Sequence, residues 1–280
     1  MHWLNAHPEI KVFPFEIRAL QKNHPAFIVK RIIKGLPEGP YLRGYKSPTD
    51  VEDQRAINKL DEHYPKTKLF VGLRHPVKWF ESFYNYRIQN GLDLPPAQEL
   101  EFIRTGSRGV SIERANFHSS LVRFGKTPLD ETEMEFFSYD KNVFRDMTEH
   151  RPTKKANPIF LYDTDQLGDK NGTRSLQLRE DIQAFLNLNE SMPSVLHYSP
   201  GHKVNETEQI KLDSKKIHIC EQNYAEHRQK LLVVGERVAR WVEDYFLKSS
   251  DVVLSDREHF LEILSSYSKD PCLQNGTMAS

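Results

Sequence analysis

The sequence predicts an α/β protein, a parallel sheet flanked by helices. Three observations predict it. Short apolar runs alternate with longer stretches of helical spacing, the signature of strands joined by crossover helices. No internal repeat or low-complexity tract interrupts that alternation. At 280 residues, 38% hydrophobic and 28% charged, the chain suffices for a single domain over 1–280 with a sizeable core.

In chain order, 41–45 reads as a weak strand and 51–64 as a helix with Val51, Ala56, Ile57, Leu60 and His63 near one face. Residues 69–73 form an apolar run short enough for a buried strand. Residues 77–88 follow as a helix whose Trp79, Phe83 and Tyr86 read as a core stripe. A strand at 159–162 precedes a helix over 178–188. The longest helix runs over 222–246, with Leu231, Val234, Val238, Trp241, Val242 and Tyr245 as its apolar stripe. Asp256 is placed to cap a last helix through Glu262 and Leu264. Pro95-Pro96 and 193–200 read as loops.

The formal net charge is zero, so neither nucleic acid nor an anionic membrane is the default partner. No apolar run reaches the roughly 18 residues of a membrane span. The opening Met1-His2-Trp3-Leu4-Asn5 lacks the pattern of a signal peptide, so this chain shows no targeting signal. Four Asn-x-Ser/Thr sequons, at Asn171, Asn189, Asn205 and Asn275, exceed the roughly 1.5 that composition alone gives. The two cysteines, Cys220 and Cys272, are either buried thiols or, in an oxidising lumen, one disulfide. There is no HExxH and no Cys/His cluster, so no motif requires a metal.

The segment 67–87 carries the most chemical information. A buried strand ends at Arg74, Pro76 stands where a helix begins, and Ser82 lies on that helix. A strand–turn–helix offers an anion backbone N–H groups and a favourable dipole end. Arg74 adds a planar fork suited to phosphate, and Ser82 a hydroxyl donor. Upstream stand His7-Pro8 and Glu16; between the two regions lies Tyr45-Lys46-Ser47-Pro48.

Arg74-x-Pro76-x5-Ser82-x-Tyr84 resembles the 3′-phosphate-binding segment of sulfotransferases that use 3′-phosphoadenosine 5′-phosphosulfate. The resemblance is closest to Golgi enzymes acting on heparan sulfate and similar glycans. It implies a P-loop-like sulfotransferase fold and transfer of a sulfuryl group to a hydroxyl or amine, with a carbohydrate the favoured acceptor beside a small alcohol, a steroid or a protein tyrosine. It implies that Arg74 and Ser82 hold the donor, that Glu16 acts as general base, and that Lys46 stabilises charge at the transferring group. It places His118 on an acceptor-side helix as a substrate contact, and gives no role to Gly201-His202-Lys203. Those enzymes begin with a strand and a phosphosulfate-binding loop for which this sequence has no counterpart, which makes the fold one that lacks its first strand. The chain as given is therefore expected to bind donor poorly and to turn over little. A Golgi location, with the membrane reached only through an N-terminal anchor outside this chain, belongs to the same implication. Two rivals stand beside it: a non-catalytic glycan- or nucleotide-binding relative, and a P-loop kinase, whose GxxxxGK[ST] is absent from this sequence.

Overall fold

The computed structural model describes residues 2–125, 157–195 and 206–273. Among them the order is α1 (His2–Asn5), β1 (Ile10–Glu16), α2 (Pro25–Gly35), β2 (Leu42–Lys46), α3 (Gln54–His63), β3 (Leu69–Leu73), α4 (Pro76–Gln89) and α5 (Phe117–Leu121). The order continues through β4 (Ile159–Asp163), α6 (Thr164–Leu167), α7 (Gly172–Leu186), α8 (Glu206–Asp213), α9 (Ala225–Asp244), β5 (Val252–Val253) and α10 (Arg257–Ser265). This is a mixed α/β chain with parallel strands flanked by helices. Among the described residues no helix is long and apolar enough to cross a membrane.

The chain clusters into two compact units, each assembled from three stretches. The first comprises 1–72, 119–198 and 244–260. Its strands form two sheets: β1 beside β2, and β3–β4–β5 in that order. β1 runs parallel to β2, and β4 parallel to β5. β1 is a strand that the sequence reading did not anticipate. Pro14 interrupts its ladder, and the register to β2 slips between Val12 and Glu16, as expected where a residue cannot donate. The slip also changes the burial pattern: Val12 and Phe13 are both buried, whereas Phe15 is 70% exposed.

On its other edge β1 is completed by a side chain. The Asn5 amide accepts from Val12 N at 2.5 Å and donates to Val12 O at 3.1 Å, as a neighbouring strand would. Ile10 and Val12 then pack with Phe160, Leu178, Ile182 and Met192, so β1, β4 and α7 share one apolar cluster. Phe13, Ile17, Leu20, Ile28, Ala56 and Leu60 form a second cluster beneath α2 and α3. Asp53 caps α3, accepting from Arg55 N at 2.9 Å and Ala56 N at 3.4 Å.

The second unit comprises 73–118, 199–243 and 261–280. Its long helix α9 buries Leu231, Val234, Val238, Trp241 and Val242 from the stripe read from the sequence, and ends at Asp244, before Tyr245, which that stripe included. α4 buries Val77, Phe80, Tyr84 and Ile88. The core stripe expected at Trp79, Phe83 and Tyr86 is thus on the wrong face: Tyr86 is 52% exposed. Those rings instead stack as a ladder, Trp79 on Phe83 at 5.2 Å and Phe83 on Tyr86 at 6.4 Å. The guanidiniums of Arg87 and Arg114 lie over Phe83 at 4.7 and 5.1 Å.

Candidate functional site

β1 and β2 end together, and that brings two residues from separate sequence motifs into contact. Glu16 and Lys46 are register partners across the parallel pair. Ile17 N donates to Lys46 O at 3.1 Å and fixes the strand ends. Lys46 Nζ then lies 3.5 Å from Glu16 Oε1, while Arg18 donates to Glu16 Oε2 at 3.3 Å. These side chains remain substantially exposed, so the pairs contribute little to stability, about 0–1 kcal/mol each. Their value lies in placing a carboxylate between two cations at an open edge.

Glu16 also lines a cleft of about 380 Å³. Its walls include Phe13, Phe15 and Phe27, with Arg18, Lys22, His24 and Arg31 around them. Arg31 sits over the Phe27 ring at 4.8 Å. None of these lining residues except Glu16 was singled out in the sequence. The available signal was the alternation Phe13-Pro14-Phe15, where a proline inside a strand exposes one of two rings.

The segment behind Lys46 contains a buried acid. Asp50 is 6% exposed, and burial pushes its carboxyl up to about 6, with Asp53 reinforcing the shift and Ser47 and Arg18 opposing it. Burial, reinforced by the nearby Asp50, also raises the Tyr45 phenol. Gln21 Nε2 donates to Thr49 O at 2.6 Å and closes the loop.

The second candidate pair belongs to the second unit. Arg74 leaves the tip of β3 half-buried, and among the described residues its guanidinium makes no ion pair. Ser82 is half-buried almost two turns into α4. The helix N-terminus differs from the expectation of free N–H donors. Pro76 has none, and Val77 N is taken by His75 Nδ1 at 3.3 Å. Trp79 N bonds His75 O at 2.8 Å.

His118 is fully buried, at 0% exposure, near Trp241 with ring centroids 6.3 Å apart. Burial and the positive charge of Arg237 hold its imidazole down at about 3. The side chain expected as an acceptor contact thus lies in the core of the second unit. Cys220 and Cys272 form a disulfide, 52 residues apart in sequence, with Cys220 exposed and Cys272 half-buried rather than both being buried thiols. Gly201-His202-Lys203 and the sequons at Asn205 and Asn275 lie outside the described residues. Of the other two sequons, Asn171 caps α7, accepting from Thr173 N at 3.0 Å and Arg174 N at 3.3 Å. Asn189 donates to Glu9 Oε1 at 2.7 Å. Among the described residues no group of His, Cys, Asp or Glu is arranged to hold a metal ion.

No protein-family model and no curated protein sequence matches the chain. Among solved structures, it is similar to a sulfotransferase from Alicyclobacillus acidocaldarius, at 12% identity and a TM-score of 0.46, over 86% of this chain and 88% of that one.

Proposed function

We propose that the chain transfers a sulfuryl group from 3′-phosphoadenosine 5′-phosphosulfate to a hydroxyl or amine of a carbohydrate acceptor. The observation that carries this reading is the meeting of Glu16 and Lys46, drawn from two separate motifs, at the lip of an aromatic and basic cleft. Glu16 takes the proton of the acceptor as its oxygen or nitrogen bonds to sulfur. The bond from sulfur to the 5′-phosphate oxygen breaks, and the electron pair leaves with the nucleotide. Lys46, released from Glu16, balances the charge growing on that oxygen. Arg74 and Ser82 hold the 3′-phosphate. A sugar ring can lie against Phe15 or Phe27, and the surrounding cations Arg18, Lys22 and Arg31 suit an acceptor bearing anionic groups.

The four sequons and the Cys220–Cys272 disulfide support maturation in an oxidising lumen, consistent with a Golgi glycan-modifying enzyme. The deciding experiment measures transfer of labelled sulfate to a panel of glycans by the chain as given, expected to turn over little, and by a version extended upstream, in which the variants are compared. Glu16→Gln should lower kcat by about 10²–10⁴ while leaving nucleotide affinity unchanged. Arg74→Ala should weaken binding of 3′-phosphoadenosine 5′-phosphate by about 1.5–3 kcal/mol in calorimetry. Transfer that is indifferent to Glu16, or nucleotide affinity indifferent to Arg74, would remove the proposal.

A further inference from the structure

We infer that His75 is a positioning residue, tying the Arg74 segment to a C-terminal strap that the disulfide anchors. The inference rests on the reading of Arg74 as a nucleotide contact. His75 is 3% exposed. Its Nδ1 accepts from Val77 N at 3.3 Å, so the ring proton resides on Nε2. Nε2 lies 3.1 Å from both Ser266 O and Lys269 O and donates to these two carbonyls. One imidazole thus caps α4 and grips the strap, with Arg74 as its chain neighbour.

The strap is itself secured. Asp270 bonds Arg228 Nε at 3.0 Å, and both side chains are buried. Arg228 also donates to Ile219 O at 2.7 Å and Glu221 O at 2.9 Å, the residues flanking Cys220. Cys272 closes the loop covalently to Cys220. Segment 217–219 returns to α4 as well: Ile217 N donates to Asn85 Oδ1 at 2.9 Å and Ile219 N to Glu81 Oε1 at 3.0 Å. The helix bearing Ser82 is therefore held at its start by one arm of the cystine and along its length by the other.

The test is calorimetric titration of the full chain with 3′-phosphoadenosine 5′-phosphate, oxidised and reduced, for wild type, His75→Asn, His75→Ala and Arg74→Ala. Asn keeps an acceptor for Val77 N but is too short for the strap. Both His75 variants should raise Kd about tenfold, the worth of one good hydrogen bond, at unchanged stoichiometry. A merely structural loss would instead lower the number of binding-competent molecules at constant Kd. Reduction should weaken the wild type and add little to His75→Ala, because the two changes act through one strap. Wild-type affinity in His75→Asn, or full additivity with reduction, overturns the inference while leaving the nucleotide site intact. A wild type whose affinity is the same as that of Arg74→Ala removes the nucleotide reading itself, and the inference with it.

Discussion

Asp50 shows how a single buried group shapes the behaviour of the site. Its carboxyl lies behind Lys46-Ser47-Pro48, and burial moves it from 3.8 to about 6. The folded state therefore takes up a proton before the unfolded chain does. Stability from this group is fully present below about 3.8 and is lost as pH rises through about 6. Replacing Asp50 by Asn removes the cost of the buried charge, so Asp50→Asn should gain up to about 3 kcal/mol at pH 7.5 and only about 0.5 kcal/mol at pH 4. Urea unfolding at the two pH values measures this, and an equal effect at both would refute it. His118 and His227 act in the opposite sense. Burial lowers them to about 3 and about 4, so each takes away stability as pH falls through 6.5. The difference between variant and wild type, rather than the raw profile, isolates Asp50. Glu16 and Lys46 were singled out by their motifs, and the structure adds that their side chains meet at 3.5 Å. His75 was not, because its role depends on carbonyls 191 and 194 residues away.

At the scale of elements, unbroken apolar runs identified β3 and β4, and side-chain chemistry identified the α10 cap, where His259 N donates to Asp256 Oδ1 at 3.1 Å. β1 escaped notice because Pro14 and a register slip break its alternation. β5 is two residues long and leaves no periodic signal. The aromatic stripe of α4 misled because stacking and arginine contacts, rather than burial, hold those rings. α9 contains a position with a sharper requirement. A Cβ on Gly235 would collide with the Tyr267 carbonyl, main chain against which no rotamer can give way. Gly235→Ala should cost about 1–3 kcal/mol by overpacking, despite raising helix propensity. Because Tyr267 lies in the strap between Ser266 and Lys269, the variant should also weaken nucleotide binding. Guanidinium unfolding paired with calorimetry checks both outcomes. A stabilised Gly235→Ala would show that the strap moves freely.

Across the whole molecule, the α/β class and the helices α3, α4, α7, α9 and α10 were legible because hydrophobic periodicity is a local property, whereas α2 (Pro25–Gly35) was not anticipated. The division of strands into two sheets was not, since pairing depends on contacts remote in sequence. The disulfide is equally remote, and composition left it open. It closes a loop of 52 residues, for which chain entropy gives about 4 kcal/mol of stabilisation. Cys220→Ser should lose about 2–4 kcal/mol in guanidinium unfolding under oxidising conditions, and nothing relative to wild type once both are reduced. The grip of His75 on Lys269 has a further consequence, for biosynthesis. At about 5–20 residues per second, a ribosome needs about 10–40 s after making His75 before the carbonyl of Lys269 exists. Throughout that interval the imidazole waits without its partners, so the contact that ties the start of α4 to the strap forms only after Lys269 has been made.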